Sequence, residues 1–294
     1  MFAKGLKECS STSERGLMAQ FTGEGVYSSI SGRRVGLGSK ATAEACSELC
    51  GIDYDIVFKA CRSATGSGTE TIALLLKNFG ISNSKAPPMD FSEVVALAEE
   101  FRMLKKKAEK VELLKQQMKQ LPPQSIRFMI RIFSQYSLRI GFELRSVLQA
   151  IALAAEQPIE EVRKAHQLSG SLAKTTEMAF KDRLQEVRFK PFHPMAFMLA
   201  SPTSMEEAPV EGYIYEEKFD GMRAQLHTDG QQVQLYSRDL NEITSSFPEI
   251  AQIFSKKHLP ATVLDGEIVV YKQDCIQPFR FLQQRMGVKK PSKK

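Results

Sequence analysis

The chain has 294 residues, 43% of them hydrophobic and 25% charged, the composition of a soluble globular protein long enough for two ordinary domains. No apolar stretch is long enough to cross a bilayer, and residues 1–16 lack the apolar segment of a secretory signal. A net charge of +6 and a pI near 9.0 permit a nucleic-acid partner without requiring one. Lys4, Lys7 and Arg15 among serines and threonines carry some character of a transit peptide, against which Glu8 and Glu14 count. The five cysteines, Cys9, Cys46, Cys50, Cys61 and Cys275, form no Cys-x-x-Cys pair and have no histidine at zinc spacing. Reduced thiols in an intracellular protein are therefore expected, without zinc or disulfides.

From about Ser39 to Lys190 the apolar residues recur at helical spacing. Phe91–Gln120 carries such a stripe, interrupted by Lys105–Lys107, between Pro87-Pro88 and Pro122-Pro123. Helices are also expected over Pro123–Tyr136 and Glu143–Gln157, with Pro158 opening another. There is also an internal repeat: Arg34-Val35-Gly36 matches Arg139-Ile140-Gly141 at an offset of 141 − 36 = 105 residues. Without a gap, Ala45 then falls on Ala150, Val57 on Val162, Ala60 on Ala165 and Thr71 on Thr176. A duplicated helix-pair unit presenting two similar turns accounts for this pattern; chance similarity of two amphipathic pairs is the alternative.

Pro191, Pro194 and Pro202 punctuate a linker-like stretch, after which period-two patterning takes over. Tyr213–Phe219, Arg223–Thr228, Gln232–Ser237 and Thr262–Tyr271 read as strands, with Asp229-Gly230 as a hairpin signal. The expected organisation is a helical domain over 1–190 and an α+β domain with antiparallel sheet over 191–294.

The densest chemistry lies in Glu216-Glu217-Lys218-Phe219-Asp220-Gly221-Met222-Arg223. On a strand, Glu216 and Lys218 would share a face. Asp220-Gly221 would turn the chain and bring Arg223 back beside the lysine. A lysine nucleophile must lose its proton, helped by neighbouring positive charge.

Lys-x-Asp-Gly-x-Arg resembles the nucleotidyltransferase signature of ATP-dependent DNA ligases, RNA ligases and mRNA capping enzymes. Other segments resemble the ligase motifs in order. These are Pro194-Met195 with Leu199-Ala200 before the site, Leu235-Tyr236-Ser237-Arg238, Leu264-Asp265-Gly266-Glu267-Ile268-Val269, and Pro278-Phe279 with Leu282 and Arg285. The resemblance implies that Lys218 takes the AMP, Glu216 reads the adenine amino group, Arg223 and Glu267 hold the ribose, and Arg238 lies on the phosphate side. It implies ATP and Mg2+ as cofactors, with Glu267 as a candidate metal ligand. Asp265 and Glu267 alternate onto one face of an apolar strand, where a carboxylate needs a partner.

Ser137-Leu138-Arg139-Ile140-Gly141 resembles a turn in the helical DNA-binding domain of replicative and repair ligases of eukaryotes, archaea and some viruses. Arg34-Val35-Gly36-Leu37-Gly38 resembles its first pseudo-symmetric copy. Arg34, Gly36, Arg139 and Gly141 are thus expected to grip the phosphates of nicked duplex DNA without reading sequence, glycine at a helix N-terminus permitting close approach. Lys105–Lys107 and Lys110 either add non-specific attraction or form a solvated face.

The resemblance implies an all-α DNA-binding domain with an internal pseudo-repeat, then a partial nucleotidyltransferase (ATP-grasp-like) adenylation domain, with the OB-fold absent. Residues 191–294 are expected to suffer from an exposed sheet edge and apolar face. A truncated gene model, a separate chain supplying the C-terminal half, and a functional short form all stay open. The implied activity is nick sealing in replication, repair and recombination, in the nucleus of a eukaryote or otherwise the cytoplasm, with no membrane partner. The isolated chain is expected to bind duplex DNA and ligate poorly or not at all. The rivals are a non-catalytic DNA-binding scaffold derived from a ligase, and an RNA ligase or capping enzyme, which would leave the helical turn motif unexplained.

Overall fold

The computed structural model describes residues 1–134, 138–195, 197–198, 200, 202–204, 206, 211–212, 214–257 and 259–288. Tyr136, Ser137, Leu199 and Tyr213, all used in the sequence reading, lie outside them. The chain divides into two units, residues 1–166 with 171–187, and residues 167–170 with 188–294.

The first unit is helical. Its helices are α1 (Phe2–Glu8), α2 (Thr12–Gly23), α3 (Ser39–Cys50), α4 (Lys59–Thr65), α5 (Gly68–Asn78), α6 (Phe91–Met103), α7 (Lys107–Gln120), α8 (Pro123–Phe133), α9 (Leu144–Ala155), α10 (Ile159–Ser169) and α11 (Leu172–Phe180). The first two were not expected. Their sequences are too polar for a clear stripe, yet the Ser11 side chain caps α2 at the Glu14 amide and Leu6 and Ala19 are fully buried. The single stripe over Phe91–Gln120 is two helices. Asp90 and Glu93 form a capping box that opens α6, Leu104 is extended, and the Glu109 carboxylate accepts from the Lys106 amide (3.4 Å) to open α7. One core gathers Phe58, Phe101, Leu114, Met118 and Ile126 from α3–α8 and the π-helical turn Tyr54–Phe58. A second set of contacts joins α2 to α11 and α1 to α9.

The second unit is built on three antiparallel strands, β1 (Met222–Thr228), β2 (Val233–Ser237) and β3 (Thr262–Ile268), in the order β2-β1-β3. Helices α12 (Pro248–Ser255) and α13 (Phe279–Gln283) accompany them, with a small hairpin of β4 (Tyr271–Lys272) and β5 (Cys275–Ile276). Leu226 and Leu235 on one sheet face pack with Phe247 and Leu282. The continuous strand expected over Thr262–Tyr271 therefore breaks at Val269-Val270. Gln273 and Asp274, both at positive φ, turn the chain back into β5.

The expected strand over residues 213–219 is not formed: residues 214–219 make no ladder. Both sides of β1 are taken by β2 and β3, and residues 214–219 pair with the outer edge of neither. The expected linker is also different. Residues 189–195 lie on the other face of the sheet, held there by side chains of β1 and β2.

Candidate functional site

β1 sets the geometry of the second unit's site. Pairing puts Arg223 opposite Glu267, Gln225 opposite Asp265 and His227 opposite Val263, so these side chains share one face. Gly221, at the start of that run, is the point of closest approach. A Cβ there would stand 2.4 Å from the Ile268 carbonyl oxygen and 2.9 Å from the Glu267 Cγ. Glycine lets the Asp220-Gly221 turn lie directly on the end of β3, three residues beyond Lys218.

Arg223 donates in parallel to Asp265, Nε to Oδ1 at 3.1 Å and Nη2 to Oδ2 at 2.7 Å, and through Nη1 to the Met198 carbonyl at 2.8 Å. Phe197 stacks on the guanidinium at 4.9 Å. The partner demanded by Asp265 is therefore Arg223, diagonal to it across the ladder. That pair holds the arginine pKa above its ordinary value. Sequence reasoning left Asp265, Phe197 and the Met198 carbonyl out of the site. The alternation of Asp265 with Glu267 placed the carboxylate on the right face, but nothing local indicated which cation would reach it.

Behind this pair lies a buried polar network. The Met195 amide donates to Gln225 Oε1 (3.1 Å) and Gln225 Nε2 donates to the Met195 carbonyl (2.7 Å). The Phe192 amide donates to His227 Nδ1 (3.2 Å), and Tyr236 donates its hydroxyl to the Phe192 carbonyl (3.0 Å). His227 Nδ1 is an acceptor, so the ring is neutral with its proton on Nε2, which donates to Gln225 Oε1 at 3.1 Å. Burial first, and then the charge of His193, pushes its pKa down to about 4. The unfolded ring titrates near 6.5. The depressed value gives stability that is complete above pH ~6.5, declines as pH falls, and is gone below pH ~4. The loss is about 3 kcal/mol. We expect the protection factors of β1 and β2 amides, exchange rates relative to the intrinsic rate at each pH, to fall between pH 6.5 and 4.5, and His227→Gln to flatten that dependence. An unchanged profile in the variant would show that His227 is not the titrating group.

Lys218 and Glu216 are exposed, and among the described residues neither side chain makes an ion pair or hydrogen bond. They stand on an irregular segment rather than a strand face. Arg238 is exposed on the tight turn after β2, where the Leu240 amide donates to the Ser237 carbonyl (2.8 Å). Glu267 is exposed on β3, and the described residues contain no group of three or more His, Cys, Asp or Glu suited to a metal. Downstream, Leu282 fills the core, and Arg285 donates to Glu249 (2.7 Å) and the Ser246 carbonyl (3.0 Å). That segment fastens α13 to the sheet.

In the helical unit the two Arg-aliphatic-Gly turns lead into α3 and α9. Gly36 and Gly141 have φ of 77° and 69° and stand three residues before the first helical residue (39 − 36 = 3; 144 − 141 = 3). They shape the approach to each helix rather than forming its N-terminus, as had been expected. A cation from another helix holds each turn. Lys110 Nζ donates to the Val35 carbonyl (2.6 Å), and Arg131 Nη1 donates to the Leu138 carbonyl. Lys110 is thus a turn anchor, not part of a diffuse basic face. Arg34 and Arg139 are exposed, and Arg139 Nη1 donates to the Gly66 carbonyl (3.2 Å).

Two family descriptions match the chain: DNA ligase N terminus over residues 16–152, and ATP dependent DNA ligase domain over residues 197–294. The chain belongs to the ATP-dependent DNA ligase family. A probable DNA ligase of Opitutus terrae is 34% identical over 220 residues, covering 62% of this chain and 21% of the relative. One of Koribacter versatilis is 40% identical over 159 residues, covering 53% and 27%. A DNA ligase of Methanocaldococcus jannaschii is 25% identical over 263 residues, covering 87% and 46%. The chain thus spans between about a fifth and a half of the length of these ligases. No helix among the described residues is long and apolar enough to cross a membrane.

Of the ligase-type site residues, the structure brings Arg223 and Glu267 together on adjacent strands and sets Gly221 against Glu267. It leaves Glu216, Lys218 and Arg238 on exposed segments, and among the described residues no side-chain partner orients them.

Proposed function

We propose that this chain carries the nucleotide-charging site and a duplex-binding unit of an ATP-dependent nick-sealing ligase. The observation that supports it most is the contact of Gly221 with Glu267, three residues after Lys218 and beside the Arg223–Asp265 pair. In this reading the Lys218 amine, deprotonated to solvent, attacks the α-phosphorus of ATP. A phosphorus–nitrogen bond forms, the bond to the bridging oxygen breaks, and pyrophosphate leaves with the electron pair. AMP then passes to the 5′-phosphate of a nick, and the 3′-hydroxyl displaces it. Glu216 meets the adenine amino group, Arg223 and Glu267 the ribose, and Arg238 the phosphate side. Glu267 is the carboxylate that would hold a magnesium ion, an ion that uses few protein carboxylates, and the charge neutralisation of the phosphates is the chemistry the ion would supply. Asp265, engaged by Arg223, is left as the arginine's positioning partner.

We assign residues 1–190 to non-specific binding of nicked duplex and residues 191–294 to nucleotidyl transfer, in the nucleus or cytoplasm according to the host. A duplication in the helical unit is supported by the matched bounds of α3 and α9, Ser39–Cys50 and Leu144–Ala155, offset by 105 (144 − 39). Left-handed residues end both, Gly51 and Glu156. Further on the offset becomes 104 (171 − 67): Thr71 bonds back to the Ser67 carbonyl, and Thr175 to the Ser171 carbonyl. The copies therefore match with a one-residue gap, and Thr71 corresponds to Thr175, not Thr176. A scaffold without catalysis is the second reading, favoured by Lys218 being exposed and without a side-chain partner among the described residues.

The test is incubation with α-labelled ATP and magnesium, then denaturing electrophoresis. Label on the parent chain and none on Lys218→Ala is the expected result. No label on the parent chain, with duplex binding retained, would favour the scaffold.

A further inference from the structure

Three side chains on one face of β1 bond to the same overlying segment. His227 Nδ1 accepts from the Phe192 amide, Gln225 bonds both backbone groups of Met195, and Arg223 Nη1 donates to the Met198 carbonyl. The contacts fall on every second residue of β1 and every third residue of the segment, which therefore runs against the strand. Gln225 and His227 are buried, whereas Arg223 is half-buried. Pro194 is buried between the first two contacts and has no amide to leave unpaired. Among the described residues, Met195, Phe197 and Met198 make no other hydrogen bond.

Gln225 is the contact that fixes the segment's register. Its Oε1 accepts from the Met195 amide at 3.1 Å and its Nε2 donates to the Met195 carbonyl at 2.7 Å, so one residue is grasped at both polar groups. His227 Nε2 donates to the same Oε1 at 3.1 Å, which sets the orientation of the glutamine amide. Three residues on, the Met198 carbonyl takes Arg223 Nη1, and Phe197 lies on the guanidinium face at 4.9 Å. From β3, Asp265 takes Nε and Nη2. The remaining N–H groups of the guanidinium, one on each Nη, are left to meet a ligand. Asp265 alone would hold the fork along one edge. The Met198 carbonyl gives it a second hold from a different direction.

We propose that Gln225 is a positioning residue for nucleotide charging: by clamping Met195 it brings Phe197 and Met198 to Arg223 and so aims the open N–H groups of the arginine at the ribose. This rests on the nucleotide-charging reading above, in which Arg223 meets the ribose. Gln225 acts through the segment and not on the nucleotide. Loss of the clamp leaves Arg223 paired with Asp265 but with its open donors undirected. ATP then binds more weakly, while the Lys218 amine, on a separate segment, attacks as before.

The full chain, Gln225→Met, Gln225→Glu and Phe197→Leu are compared in two measurements. The first is the Arg223 Nε–H resonance, assigned by its loss in Arg223→Lys and shifted in the parent by the ring current of Phe197. We expect Gln225→Met to move that resonance to where Phe197→Leu leaves it, with the amide pattern of β1–β3 retained. Gln225→Glu keeps an acceptor for the Met195 amide but has no donor for its carbonyl, and should move the resonance part of the way. If Gln225→Met loses the amide pattern, Gln225→Glu decides. The second measurement is labelling by α-labelled ATP over a range of ATP concentrations. Half-saturation in Gln225→Met should rise roughly tenfold, with the maximal rate within about threefold of the parent. A glutamine that only supports the fold would give less labelled chain at the parent's half-saturation. That result, or an unmoved Arg223 resonance, would overturn the proposal. A parent that takes no label refutes the nucleotide reading instead, and the resonance still decides whether Gln225 places Arg223.

Discussion

Gly221→Ala should lower the stability of the sheet unit by about 1–3 kcal/mol and reduce labelling by ATP at least about tenfold. The added methyl would meet the Ile268 carbonyl oxygen at 2.4 Å, Val269 Cγ1 at 2.8 Å and Glu267 Cγ at 2.9 Å. A flexible side-chain tip can move aside, but the Ile268 carbonyl is backbone. Met222, the next residue after the glycine, is paired with Ile268 in the β1–β3 ladder. Moving either chain therefore opens the ladder that sets Arg223 beside Glu267. The fully buried core beneath is small, built around Leu226, Leu235, Phe247 and Leu282, and has little capacity to absorb the strain. Chemical denaturation followed by exchange of β1 and β3 amides reads the stability, and the labelling gel reads the site. If stability and labelling both match the parent, the close approach of the turn to β3 is not required for either.

A larger stability effect is expected in the helical unit. Arg131→Ala should destabilise it by about 3–5 kcal/mol, because it removes one member of a buried charged network. Arg131 donates to Thr69, to the Leu138 carbonyl and to Glu70 (3.2 Å). Burial and the nearby Arg127 lower its pKa, but a guanidinium remains charged. Without it, the Leu138 carbonyl loses its donor and the turn carrying Arg139 and Gly141 loses its anchor. Arg131→Lys should recover only part of the loss, since an ammonium cannot supply the same fork of donors. Urea denaturation monitored by helical circular dichroism measures both variants. A change below about 1 kcal/mol for the alanine variant would mean that water replaces the guanidinium at this site.

Much was legible along the chain because it depends on near neighbours. Apolar spacing located α8, α9 and the start of α10, since one helical face repeats every three to four residues. Alternation located β1, β2 and β3, running β3 on as far as Tyr271, and Asp229 does shape the connection between β1 and β2, its carboxylate accepting from the Gln231 and Gln232 amides. The paired Arg-aliphatic-Gly turns and the Lys218 motif were visible as residue patterns, and they led to the family that the comparisons bear out.

Other features depended on groups distant in sequence. α1 and α2 lacked a clear stripe because their burial comes from α9 and α11. Residues 214–219 alternate like a strand but found both sides of β1 occupied. The proline-rich stretch looked like a linker because prolines break periodicity, whereas Gln225, His227 and Tyr236 supply the hydrogen bonds that hold it to the sheet. The sequence by itself determined the helical and strand periodicities, the nucleophile candidate and the glycine turns, all set by local spacing and backbone freedom. Only the tertiary structure decided that Asp265 answers Arg223 and that Lys110 and Arg131 anchor the turns. Those contacts join residues that the chain keeps far apart, and their geometry follows from ladder register and helix packing.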